Sequence, residues 1–385
     1  MSGKNSDKPK IQWMVALGAA GAWFGQHAGA GFASGLQTIT YFTNAGWISL
    51  ITTLIPMVIL GFVFYFMGEY ARNIHAESYK DVALTLYSKN KTISKIMLTF
   101  FDVIIMGSVL ITSSTTIAGG GTLLEQKLGM NYLVATIFFT ILIVVISMFG
   151  AKVLALISLP LGATMIVMLF CIGMLVVTHN WDAVVNIVKT RETFGVSTGT
   201  AIGNLLYYTG LQTGFIGAYM AIAGQFGRKE DNKVMAITGA IANTVMLALL
   251  SCAVLSGMPG IAEAKIPILE MVHNIAGDNS ILSWFYSASL FLAYVSTGDV
   301  VAATSRFGVL INKNHKYNQV VVDAIIGIVL LTCSLLMAQL GIKVLVNKGY
   351  KFLSLLRGPV YIAGGLIFAP WRLHQMKKQQ EQVNA

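Results

Sequence analysis

Apolar runs of roughly twenty residues follow one another along this sequence and leave few folds open to it. They lie at 11–42, 47–70, 96–124, 132–149, 153–177, 196–226, 234–255, 281–310, 319–340 and 350–371. A helix of that length crosses the hydrocarbon core of a bilayer. In lipid every backbone N–H and C=O must be satisfied internally, so such runs become helices. With 55% of its 385 residues hydrophobic, 11% charged and a mean hydropathy of +0.70, the chain is not a water-soluble domain. The reading is an all-α membrane protein with ten transmembrane helices.

The first run is interrupted. Residues 25–35 read Gly25-Gln26-His27-Ala28-Gly29-Ala30-Gly31-Phe32-Ala33-Ser34-Gly35. Each glycine inside a helix costs about 0.5–1 kcal/mol relative to alanine. An unwound backbone at membrane depth survives only where protein or a water-filled cavity satisfies it. Taken alone, these glycines would equally serve close helix packing. A second interruption decides: the sixth run contains Tyr207-Tyr208-Thr209-Gly210-Leu211-Gln212-Thr213-Gly214. Helices 1 and 6 are thus read as broken at mid-membrane, and each opens a set of five. An odd number of spans per half makes the halves antiparallel, a 5+5 inverted repeat with a binding site at the two breaks, as in secondary transporters. The units are a tail at 1–10, a first repeat at 11–178, an external connection at 179–195, a second repeat at 196–371 and a tail at 372–385.

The formal net charge of +10 is an orientation signal. With the N-terminus inside, the basic clusters at 4–10, 72–95, 228–233, 306–316 and 372–378 all fall on the cytosolic side. The expected location is the plasma (inner) membrane, multi-pass, with both termini cytosolic; no nucleic-acid partner is needed to explain the charge. The polar N-terminus and long first run do not fit a cleavable signal. Cys171, Cys252 and Cys333 lie inside apolar runs without metal-ligand spacing and read as buried free thiols. There is no phosphate-binding loop, HExxH or GxSxG motif, so no pump or membrane hydrolase is indicated.

The run Gly29 to Gly35, followed by Tyr41-Phe42, resembles the YkvI-type amino acid permeases, LeuT-fold members of the amino acid–polyamine–organocation superfamily. The resemblance implies a sodium ion held by the carbonyls of Gly25, Ala28 and Ala293 and the hydroxyls of Ser296 and Thr297. The spacing is compatible, since Ala293, Ser296 and Thr297 share one helix face. The rival is that both hydroxyls bond back to their own helix. Tyr207-Tyr208-Thr209 resembles the family's aromatic–aromatic–Thr run, which makes Tyr208 a substrate lid and puts Thr209 and Gln212 beside the substrate. Gly31, Phe32, Ala33 and Ser34 open the second half-helix, whose free N–H groups suit a carboxylate. Gly29 and Ala30 permit close approach. Two positions depart from the family pattern. Phe32 stands where a second sodium site has Asn, leaving Asn243 as a weak contributor, and Gln37 stands where the pattern has Glu.

Ionisable residues inside spans are costly and default to function. Asp299, His27 and Arg357 are the candidates for gating or coupling. Asp102 reads as a helix-end residue, and Glu69 and Lys152 as interfacial. The expected activity is import of an amino acid or related small zwitterion by alternating access, with Na+ as the coupling ion and no catalysis. A proton-coupled transporter or exchanger of an organic amine or osmolyte, using Asp299 or His27, is the alternative; a channel or non-transporting sensor is the more distant one. Substrate and bilayer are the expected partners, and monomer or homo-oligomer is left open.

Overall fold

The computed structural model describes residues 12–384 apart from 149, 296–307, 309, 310, 313, 315 and 316, and the side chains of 146–163, 165 and 384 are also outside the description. The tail at 1–10 is therefore not covered, nor is the side chain of Lys152. Among the described residues, all regular structure is helical.

The first segment comprises α1 (Trp13–His27), α2 (Ala30–Ala33) and α3 (Leu36–Tyr41). It is broken twice. Gly29 is extended, with ψ −178°, and Gly35 is left-handed at φ +88°, a region that a Cβ disfavours. A 3-10 turn at Thr43–Ile48 leads to α4 (Ser49–Thr52) and α5 (Ile55–Asn73). The connection that follows holds α6 (Tyr79–Thr85). Next come α7 (Lys91–Leu128), α8 (Tyr132–Met148) and α9 (Gly150–His179). α7 starts before its apolar run because the Asn90 side chain caps it, accepting from the N–H groups of Thr92 at 2.8 Å and Ile93 at 3.4 Å.

The stretch between the halves is not merely polar. It carries the amphipathic helix α10 (Trp181–Thr190), bent 67° from the end of α9. Two backbone bonds fasten it to the end of the first segment: Trp47 N–H to the Glu192 carbonyl at 3.0 Å, and Phe194 N–H to the Asn44 carbonyl at 3.1 Å.

The sixth segment is α11 (Thr198–Leu211), a 3-10 turn at Gln212–Phe215 and α12 (Ile216–Ala223). Its interruption is one tightened turn, narrower than the break in the first segment. Then follow α13 (Lys229–Leu255), α14 (Pro267–Ala276), α15 (Ile281–Val295), α16 (Gln319–Ala338) and α17 (Ile342–Val383). α17 contains π-type turns at Leu345–Gly349 and Gly364–Phe368. It begins before residue 350 and runs through most of the segment read as a tail. That segment is rich in Gln and Lys, good helix formers, and after Pro370 contains no breaker.

Among the described residues, five helices are long and apolar enough to cross a membrane, α5, α7, α13, α16 and α17, and the bent pair of α9 and α10 adds a sixth. α15 and most of α8 form shorter apolar helices. The chain is a multi-pass membrane protein.

The segments sort into two groups. α1 packs on α13, α13 on α5, and α12 on α5, which unites segments 1, 2, 6 and 7. α7 packs on α8, α15 and α16, which unites segments 3, 4, 8 and 9. α9 touches α13 and α15, and α17 touches α11 and α7, so segments 5 and 10 join the groups.

Polar contacts mark the two ends. At one end the Gln12 N–H donates to Asp231 Oδ1 at 2.8 Å. Glu69 sits there too and is buried. Arg72 pairs with it at 3.0 Å, and Asn232 Nδ2 donates to it at 2.6 Å while accepting from the Tyr219 hydroxyl at 2.6 Å. Segments 2, 6 and 7 are thereby pinned together. At the other end stand the ion pairs Lys127–Asp278 at 2.8 Å, Lys265–Glu125 at 2.7 Å and Lys343–Glu263 at 2.6 Å. The cysteines are free, but Cys171 and Cys333 face outward and only Cys252 is partly covered, which corrects their reading as buried. An apolar thiol tolerates a lipid-facing position as well as a core one.

Candidate functional site

The break at Ala28-Gly29 is where the first segment stops satisfying its own backbone. The N–H groups of Phe32 and Ala33 both donate to the Gly29 carbonyl at 3.0 Å, and that of Ser34 to the Ala30 carbonyl at 3.2 Å. Three of the four donors expected to be free are thus engaged. The donors without an acceptor among the described residues are Gly29, Ala30 and Gly31. Ala30 and Gly31 are buried and Gly29 is partly covered. The second half-helix is also shorter than expected, four residues before the turn at Gly35. Ser34 closes that turn, its hydroxyl donating to the Gly31 carbonyl at 3.0 Å and accepting from the Leu36 N–H at 3.3 Å.

His27 ends α1 directly before these donors and is 1% exposed. Asn243 Nδ2 donates to the Gly239 carbonyl at 2.8 Å, which turns Oδ1 toward His27. The reversed amide would oppose two carbonyl oxygens, so the orientation follows from the network. His27 Nδ1 accordingly carries a proton and donates to Asn243 Oδ1 at 2.5 Å. Its Nε2 then accepts from the Tyr208 hydroxyl at 2.6 Å. Both ring nitrogens of a neutral imidazole are satisfied.

Tyr208 lies on α11 just before the sixth segment tightens. Its ring meets Phe42 edge-on at 4.8 Å and Tyr41 at 5.5 Å, and the Phe32 ring lies 4.2 Å from His27. These residues form an aromatic wall around the break. The Tyr41 hydroxyl is buried and has no hydrogen-bond partner among the described residues. Below the wall, Gln212 Nε2 donates to Gln37 Oε1 at 3.1 Å, joining the two interrupted segments directly. The Thr209 hydroxyl is instead spent on the Leu205 carbonyl at 2.8 Å, one turn back in its own helix.

Arg357 is buried on α17, where Nη1 donates to the Leu211 carbonyl at 2.9 Å and Nε to Ser108 Oγ at 2.9 Å. The Leu211 carbonyl is one that a 3-10 turn leaves without its α-helical partner. The guanidinium fills that gap and ties segments 3, 6 and 10.

The expected cation ligands are only partly in view. Ser296, Thr297 and Asp299 lie outside the described residues. Gly25 is exposed, Ala28 is buried and Ala293 is partly buried. α15 meets the first segment at α2, where the Tyr286 hydroxyl donates to the Ala33 carbonyl at 2.5 Å. Sequence reasoning passed over Tyr41 as a site residue and the Gln37–Gln212 pair as a contact, and gave Asn243 only a weak role. The polar residues inside apolar runs were the available signal.

No protein-family model matches the chain. A stretch of 113 residues is 27% identical to the uncharacterized membrane protein YkvI of Bacillus subtilis (strain 168), so the chain is a weak homologue of it. That match spans 28% of this chain and 30% of the relative, under a third of its length. Solved structures align over nearly the whole chain. Inward-facing Mhp1 has a TM-score of 0.62 at 14% identity, covering 95% of this chain and 80% of Mhp1. MhsT in complex with L-phenylalanine has 0.60 at 12% identity, covering 94% and 98%. The chain has the LeuT fold. A substrate-bound, outward-open Na+-coupled sialic acid symporter shares this fold with a TM-score of 0.56 at 14% identity, covering 95% and 98%. In LeuT-fold terms, segments 1, 2, 6 and 7 are one bundle and segments 3, 4, 8 and 9 the other, with the two interrupted segments side by side in the first.

Proposed function

We propose that this chain is a secondary transporter that imports an amino acid or related small zwitterion by alternating access, coupled to sodium. One observation carries the reading: at a covered break inside the fold, the three successive backbone donors of Gly29, Ala30 and Gly31 lack an acceptor among the described residues. Unpaired polar groups away from water are costly, and a ligand carboxylate accepts from several at once. Gln37, Gln212, Tyr41 and Tyr208 line the same region and supply neutral polar contacts. The comparisons support the class, because L-phenylalanine and sialic acid, the ligands of two LeuT-fold neighbours, are both carboxylates. Substrate contacts are assigned to Gly29, Ala30, Gly31, Phe32, Ala33, Tyr208 and Gln212. Thr209 contributes backbone, since its hydroxyl is already engaged. Sodium is assigned to the carbonyls of Gly25, Ala28 and Ala293 with Ser296 and Thr297. Both termini are placed on the cytosolic side, and no covalent step is involved.

A second reading has its own support. His27, on the first interrupted segment, bonds Tyr208 on the other and Asn243 on segment 7, so its protonation would rearrange contacts at the break. In that reading protons replace sodium.

The test is thermal stabilisation of the purified protein by a panel of amino acids, betaines and amines, each in sodium and in potassium. A bound ligand raises apparent stability by mass action. A zwitterion that stabilises only in sodium is the expected result. Equal stabilisation in both salts would overturn sodium coupling and favour His27. Stabilisation by amines alone would overturn the carboxylate reading.

A further inference from the structure

At the membrane end that holds the α6–α7 connection, a cleft of about 520 Å³ opens between the end of α5, the start of α7 and the far end of α17. Lys89, Lys91, Lys95 and Arg372 line it, together with neutral side chains, and no acidic residue is among the lining. The three lysines are exposed. Arg372 differs from them, being 6% exposed. Its Nε donates to the Leu86 carbonyl at 2.9 Å and its guanidinium lies 4.8 Å from the Trp371 ring. No carboxylate pairs with it among the described residues. A buried charge without a counter-ion is costly, and the surrounding lysines make the local field more positive still. The site is built for an anion.

Its position identifies the anion's source. Trp371 is exposed beside the cleft, and α7 continues from it with outward-facing Ile93, Ile96 and Phe100. An aromatic at the interface beside a lipid-facing apolar strip is the setting of a headgroup with its chains alongside. Arg recognises phosphate through its planar fork, and the lysines add charge. We infer that this cleft binds the phosphate of an anionic phospholipid. The headgroup would bridge α5, in one helix group, to α7, in the other, across the line along which the two groups meet. This inference does not depend on the transported substrate.

The test uses the full-length protein purified in a neutral detergent and reads its unfolding temperature during titration with phosphatidylglycerol, phosphatidylcholine or inorganic phosphate. Phosphatidylglycerol is expected to stabilise it saturably, and the other two not. The triple variant Lys89→Gln, Lys91→Gln, Lys95→Gln alters only exposed side chains. It should keep the lipid-free unfolding temperature and weaken the phosphatidylglycerol response about a hundredfold, at roughly fivefold per lysine. Arg372→Gln should weaken it further. Equal stabilisation by phosphatidylcholine would overturn the charge argument. A matching response to inorganic phosphate would overturn the lipid as the source. An undiminished phosphatidylglycerol response in the triple variant would remove the site from this cleft.

Discussion

The Tyr208 hydroxyl donates to His27 Nε2 at 2.6 Å, joining helices that are 181 residues apart in the chain. Because Asn243 already accepts from Nδ1, the hydroxyl is what satisfies the second nitrogen of a buried neutral imidazole. Tyr208→Phe keeps the ring contacts with Tyr41 and Phe42 and deletes the hydroxyl that makes this bond. Leaving a buried acceptor unpaired costs about 1–3 kcal/mol. The expected outcome is a lower unfolding temperature and weaker substrate stabilisation. Asn243→Ala should cost a similar amount, and the double variant less than the sum, because both act through one ring. Strict additivity would show that the three side chains do not work as a unit.

Thr297→Ala tests the sodium assignment. If its hydroxyl is a ligand, the variant should need about tenfold more sodium to reach half of the maximal substrate stabilisation, the equivalent of about 1.4 kcal/mol. Substrate affinity at saturating sodium should return close to that of the wild type. A hydroxyl that merely bonds back to its own helix would leave the sodium dependence unchanged.

The order of the membrane segments was readable because apolar runs in lipid have one structural outcome, and the first break because glycines crowd residues 25–35. The sixth segment was harder. Gly210 and Gly214 announced an interruption, yet the backbone only tightens at Gln212–Phe215, a change too small for composition to distinguish from unwinding. The amphipathic α10 was hidden by its polar residues, which suited a loop equally well. Partnerships were not readable at all. His27 finds Asn243 at a separation of 216 residues, and no periodicity links the two. Arg357 stood out because a charge in a span suggests function, but its acceptors, Ser108 Oγ and the Leu211 carbonyl, lie on segments that no periodicity links to it. The burial of Glu69 was equally hidden: its partner Asn232 belongs to the other half of the chain.

Gly46 holds the end of the first segment against the chain that follows α10. It adopts φ +67° and ψ −134°, a conformation essentially closed to other residues. A Cβ there would lie 1.8 Å from the Glu192 carbonyl oxygen, beside the bond from Trp47 that fastens α10. Backbone strain and the clash together predict a loss of about 2–6 kcal/mol for Gly46→Ala. The matching control is Gly203→Ala, in the interior of α11 with no atom within 4 Å of the added methyl. That change should stabilise by about 0.5–1 kcal/mol. Unfolding temperatures of both variants, read side by side, check the assignment.

Among the described residues, Arg357 donates to acceptors on different segments, Ser108 Oγ on α7 and the Leu211 carbonyl at the end of α11. The planar guanidinium reaches both because its donors diverge from one rigid fork. A lysine keeps the charge but presents it as a single point on a flexible stem. Arg357→Lys should therefore lose at least one charge-assisted bond, about 1.5–3 kcal/mol. The carbonyl it abandons lies at the 3-10 turn that places Gln212 against Gln37, so the loss should reach the site. Weaker substrate stabilisation is expected even after the unfolding temperature is restored by added ligand or lipid. A second variant separates structure from gating: Ser108→Ala removes one acceptor and leaves the arginine on Leu211. It should lower stability slightly and leave substrate affinity intact. If Ser108→Ala instead abolished substrate binding while Arg357→Lys spared it, the arginine would not be acting through the sixth segment.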